Sequence, residues 1–384
     1  MKKLIILLIT LLCIGIIPFN VQASSDETAI DNNMEVQQLY DYMTNIKSEQ
    51  EILKDMNIKE YIKTYMKSGE GTFSVSKVFK GIASYAVRET SAAIKLMSVL
   101  VIISIICALI TNLERAFSNE TLSHIAYFAC YSLIIIIMTK SFYVGVELAR
   151  ETIQKMSDFM LALIPVLIML LTGVGGITEA TLMDPVIIGA INISAELFAN
   201  IIIPLITITF VLQFVNNISD EFKVDKLTKL LNQCALWMQG ILMTIFIGII
   251  TIRGISSKTI DQVVAKTAKY AVDNFIPVVG KCLSDAISTV AGYSILLKNS
   301  ISSVGLIILI CMVLLPVLKI VITALVYKLT AALIEPIGDK RLVSCISSAG
   351  DSLILISACL ICVSVMFFIM IAILAAAGKV AVGG

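Results

Sequence analysis

The chain has 384 residues and a net charge of +1, with 58% hydrophobic and only 15% charged residues and a mean hydropathy of +0.94. Soluble domains carry about a quarter charged residues, so this chain cannot cover itself with polar surface, and lipid must be the solvent for much of it. The near-zero net charge gives no polycationic footprint for nucleic acid, and the composition predicts an all-α, polytopic membrane protein.

At the N-terminus, Lys2 and Lys3 precede an apolar run from Leu4 to Phe19, followed by Val21-Gln22-Ala23. This is the order of a secretory signal spanning residues 1–23, with an uncleaved anchor helix as the alternative. The segment that follows is then delivered outside. Residues 24–91 are polar, and their apolar positions recur at helical spacing, as in Leu39, Met43, Ile46 and Ile58, Ile62, Tyr65. Short amphipathic helices outside the membrane are expected, packed on the membrane domain or on a partner protein.

A spanning helix needs about 20 mostly apolar residues. Residues 92–384 supply runs near Leu96–Leu113, Leu122–Thr139, Phe159–Val174, Val186–Val215, Ala235–Ile252, Ile301–Tyr327 and Leu353–Ala377. They predict about seven transmembrane helices, some broken by Pro165, Pro204 and Pro316, and a cytoplasmic C-terminus. Arg253, Lys258, Lys266 and Lys269 then fall inside, as the positive-inside rule prefers, whereas Lys223, Lys226 and Lys229 fall outside.

Between the fifth and sixth runs, residues 257–299 read as two amphipathic helices with a hinge at Phe275-Ile276-Pro277-Val278-Val279-Gly280. They lie in the membrane interface or form a re-entrant hairpin. Asp273, Asn274, Pro277, Gly280, Lys281 and Asp285 around this hinge are candidates for assembly or gating.

Polar residues inside a span are costly and face protein or water. Asn192, Glu196 and Asn200 are spaced by four and share a helix face; Lys319 lies on a similar stripe with Thr323 and Tyr327. Two readings follow: interhelical hydrogen-bond glue, or a hydrated path on which Glu196 and Lys319 meet. The second would suit a stand-alone transporter or channel.

Nothing in the sequence points to catalysis. His124 is the single histidine, Cys359-Leu-Ile-Cys362 sits in an apolar run, and Gly173-Val174-Gly175-Gly176 lacks the Lys-Ser/Thr ending of a phosphate loop. No metal, cofactor or enzymatic activity is expected.

Several blocks occur in one order: Asp273 to Lys281 with Ser284-Asp285, Leu296-Leu297-Lys298-Asn299, Pro316 with Leu318-Lys319, and Tyr327-Lys328-Leu329. Together with the signal segment, the polar tail and the apolar C-terminal span, they resemble the stage III sporulation protein AE family of endospore-forming bacteria. The likeness is densest from Lys258 to Gly378. It implies a multi-pass protein of the mother-cell (outer forespore) membrane. There it would join other stage III sporulation proteins in one complex and, through them, a forespore membrane partner. That channel or feeding apparatus would sustain late forespore gene expression. The resemblance supplies no catalytic residues.

Overall fold

A computed structural model describes residues 34–49, 57–68, 75–116, 120–172, 177–218, 224–275 and 280–377; the side-chain surroundings of 34–35, 49, 75–77, 111–127, 177–184, 217–218 and 253–291 fall outside it, as do residues 1–23, where the signal segment is expected. The described residues form helices and no strand. In chain order these are α1 (Met34–Glu49), α2 (Ile58–Ser68), α3 (Val75–Ala116), α4 (Glu120–Thr172), α5 (Ile177–Leu197), a π-helical turn (Phe198–Ile202), α6 (Ile203–Ile218), α7 (Asp225–Phe275), α8 (Gly280–Ile334) and α9 (Lys340–Ala376).

Among the described residues, six helical stretches are long and apolar enough to cross a membrane: Val78–Ile110, Phe128–Thr172, Pro185–Asn216, Asp225–Ile252, Gly292–Ile334 and Lys340–Ala376. The expected seven become six because the second and third predicted spans are one continuous helix, α4, of 53 residues. Of the charges between them, Lys140, Glu147, Glu151, Lys155 and Asp158 stand on the outer face and Arg150 is half-buried, while Phe142, Val146, Ala149, Ile153, Met156 and Met160 are buried at helical spacing. No proline interrupts this stretch, and Glu151 precedes Lys155 by four residues, the favourable order on a helix. Six crossings would return the C-terminus to the side of α1 and α2, whereas seven would place it on the opposite side.

Helix α9 is the most enclosed of the six stretches. It lies antiparallel along α8, joined by a tight turn. Pro336 stops α8, and the Asp339 carboxylate caps α9 by accepting the Arg341 N–H at 2.8 Å. Helix α4 runs antiparallel to α8: Leu163 packs at Gly305, and the Tyr327 hydroxyl donates to the Met138 carbonyl at 3.3 Å. Helix α6 closes on α4 through stacked Phe142 and Phe210 rings and a Tyr131 hydroxyl bond to the Phe214 carbonyl. Gln239 of α7 reaches the Cys359 sulfur of α9 at 3.1 Å.

The two short N-terminal helices dock on the bundle itself, one of the two expected arrangements. Val36, Leu39, Tyr40 and Met43 of α1 are buried, as are Ile58, Tyr61 and Ile62 of α2. The Tyr61 and Ser303 hydroxyls lie 3.1 Å apart, tying α2 to α8. Burial raises the Tyr61 phenol above its ordinary range, more than the Ser303 contact lowers it, so this contact stays uncharged at ordinary pH. Helix α3 begins at Val75, so the expected boundary at 91/92 falls within a continuous helix.

Candidate functional site

The proline in α8 lies beside a polar cleft where α3, α4 and α8 meet. Pro316 has no N–H to give the Met312 carbonyl one turn back, so that carbonyl needs another partner or water. Met312, Pro316 and Lys319 line a cavity of about 180 Å³ with Tyr85 of α3 and Glu151, Thr152 and Lys155 of α4. Both charge signs, hydroxyls and a freed carbonyl therefore meet where three helices join. Such a cavity suits water or a small polar group.

Lys319 finds its partner here. Its Nζ lies 3.9 Å from the Glu89 Oε2 of α3, with side-chain exposures of 38% and 18%. A pair this long and this wet is worth about 0–1 kcal/mol. A double-mutant cycle on Lys319→Met and Glu89→Gln, read by thermal unfolding in detergent, should return a coupling below about 1 kcal/mol. A coupling several times larger would mean that the pair is drier and tighter than this geometry.

Lys319 is one of three lysines by which α8 grips its neighbours. Lys298 is fully buried, and its ammonium donates to the Leu374 carbonyl at 3.1 Å and to the Ala377 carbonyl at the end of α9. A cation at a helix C-terminus satisfies orphan carbonyls and opposes the helix dipole. Lys328 donates to the Asp351 carboxylate at 2.6 Å and to the Ser347 hydroxyl at 3.0 Å, both on α9. Lysines 298 and 328 thus pin α9 near its two ends.

The other predicted residues lie apart from this site. Asn192, Glu196 and Asn200 do share one face of the α5–π segment, and that face is exposed. No ion pair joins Glu196 to Lys319, and none of the three side chains bonds to another helix among the described residues. Asp273 and Asn274 fall in the last turns of α7, and Gly280, Lys281 and Asp285 in the first turns of α8. Their side-chain surroundings and Pro277 lie outside the described residues. Among the described residues, no set of three His, Cys, Asp or Glu side chains is placed to hold a metal ion.

A family model described as stage III sporulation protein AE matches residues 56–378. The chain belongs to this family. A curated relative, Stage III sporulation protein AE of Bacillus subtilis (strain 168), is 37% identical over 312 residues, which cover 81% of this chain and 78% of the relative. No solved structure matches.

Stage III sporulation protein AE is the family to which the sequence blocks pointed, and the structure gives those blocks physical roles. Lys298, Pro316, Lys319, Tyr327 and Lys328 all belong to α8, and the four polar ones each contact a different element or end of the bundle. Sequence reasoning singled out Lys319 but not Lys298, Lys328 or Glu89. The two lysines carried a readable signal, since a lysine within an apolar run demands a partner. Glu89 carried none, because it stands in a polar stretch where a carboxylate is unremarkable.

Proposed function

We propose that this protein is a non-enzymatic integral component of the mother-cell complex that connects mother cell and forespore, required for late forespore gene expression and spore formation. The observation that supports this most is the family match, which runs from α2 to the end of α9 and so takes in the whole helical bundle. A multi-pass α-helical protein of a sporulation family suits the outer forespore membrane, where other stage III sporulation proteins would be its partners. The alternative of a solute site near Glu196 and Lys319 draws no support from the geometry, because no ion pair joins the two and Lys319 lies 3.9 Å from Glu89 instead.

The segment around Pro277 is proposed as the assembly or gating element, with Asp273, Asn274, Gly280, Lys281 and Asp285. The residue types support this, since proline cannot continue a helix and glycine is a poor helix former, so Pro277 and Gly280 suit a hinge.

Deleting the gene should leave vegetative growth unchanged and reduce heat-resistant spores to background, with late forespore reporters silent. Replacing Pro277 and Gly280 should lower spore yield while the protein stays in the membrane fraction. Normal spore counts from the deletion strain, or a growth defect without a sporulation defect, would overturn the proposal.

A further inference from the structure

Glu196 stands inside a stretch apolar enough to cross a membrane, Pro185–Asn216. Val186–Ala195 precede it, and Leu197–Val215 follow it. It is exposed, and so are Asn192 and Asn200 one turn to either side. No described side chain of this chain answers the carboxylate. A carboxylate facing lipid costs several kcal/mol, so such residues face protein or water. The polar cavity lined by Lys319 lies elsewhere, at α3, α4 and α8.

Two further features suit this face to a helix. Gly189, one turn before Asn192–Ile193, has open space where a Cβ would stand, so a neighbouring backbone can come close. The helix widens into a π turn at Phe198–Ile202, just before Pro204, whose missing N–H breaks the regular ladder.

We propose that the Asn192–Glu196–Asn200 face docks, within the membrane, a transmembrane helix of a different protein that carries a lysine or arginine opposite Glu196. Charge complementarity selects this occupant. Two copies of this chain insert in the same direction, so a two-fold pairing through this face would set Glu196 against Glu196. A basic partner helix neutralises the carboxylate, and the two amides hydrogen-bond on either side of it. The inference rests on the reading of this protein as one subunit of a complex and names the chemistry of one contact.

The test uses the full-length protein in lipid nanodiscs and synthetic leucine–alanine transmembrane peptides of about 20 residues. One peptide carries a central lysine, a second a central leucine, and a third a central glutamate; binding is read by energy transfer between dyes. The lysine peptide should bind the wild type roughly five- to thirty-fold more tightly than the leucine peptide, the range that one polar contact in lipid supplies. Glu196→Gln should remove that preference, and Glu196→Lys should transfer it to the glutamate peptide. Equal binding of the lysine and leucine peptides to the wild type, or binding of neither, overturns the proposal without any variant having to fold. Energy transfer between two labelled copies that is lost in Glu196→Gln would overturn it in favour of self-association. The complex reading itself is judged separately by spore yield, so each can fail alone.

Discussion

Replacing Lys298 by methionine should loosen the C-terminal end of α9 while leaving the rest of the bundle folded. Methionine keeps the length and most of the volume of the side chain but removes the ammonium. The carbonyls of Leu374 and Ala377 then lose the donor they share. Hydrogen bonds to a charged group are worth about 1.5–3 kcal/mol each, and part of that loss is offset because a buried charge no longer needs desolvating. A net local cost of about 2 kcal/mol is expected. Amide exchange over the last turn of α9 should accelerate roughly thirty-fold, on the scale of tenfold per 1.4 kcal/mol. Exchange there at the wild-type rate would show that the packing of Leu374 and its neighbours holds the end of α9 without the lysine.

Gly350→Leu should be the most damaging single change in the α8–α9 pair. A Cβ at Gly350 would stand 3.0 Å from the Ala324 carbonyl oxygen and 3.2 Å from the Lys328 Cγ. Alanine would gain about 1 kcal/mol of helix propensity and lose a comparable amount to crowding, so Gly350→Ala should be close to neutral. Leucine adds three more carbons against a main-chain carbonyl that has no room to move. The helices must separate, and the adjoining Lys328–Asp351 pair is strained with them. A loss of about 3 kcal/mol or more follows from overpacking together with the weakened pair. Thermal unfolding in detergent reads both variants. Equal melting of wild type and Gly350→Leu would contradict the close approach of α8 and α9.

Much of this architecture was legible because lipid imposes simple rules. Run length alone located the apolar stretches, and the alternation of Leu39, Met43, Ile58 and Ile62 identified the buried faces of α1 and α2. Pro204 marked a place where backbone regularity changes, at the π turn before it, whereas α4 and α8 run on as unbroken helices through Pro165 and Pro316, where breaks were expected. The continuity of α4 was misread for a physical reason. Glu147, Glu151, Lys155 and Asp158 look like a loop when only hydropathy is counted, yet they occupy one side of a helix whose other side is buried. The absence of proline between Thr139 and Phe159 was the available clue.

The candidate site was less legible, since its contacts join residues far apart in the chain. Lys319 was singled out, but its partner, Glu89, is contributed by a helix that begins in the polar N-terminal region. Lys298 meets carbonyls 76 and 79 residues later, and no local pattern announces a helix end as the partner of a lysine. Glu196 is the converse case. Its isolation in an apolar run was plain, and only the packed bundle showed that its face points outward.

The sidedness of the two ends of the bundle tests the six-crossing arrangement most directly. Single cysteines introduced at Ser68, after α2, and at Gly384, after α9, in a protein whose native cysteines are replaced, can be labelled in intact cells with a membrane-impermeant maleimide. Six crossings predict that both positions react from the same side. Labelling of one position only from outside and the other only after the membrane is opened would require an odd number of crossings and would contradict the six-crossing arrangement.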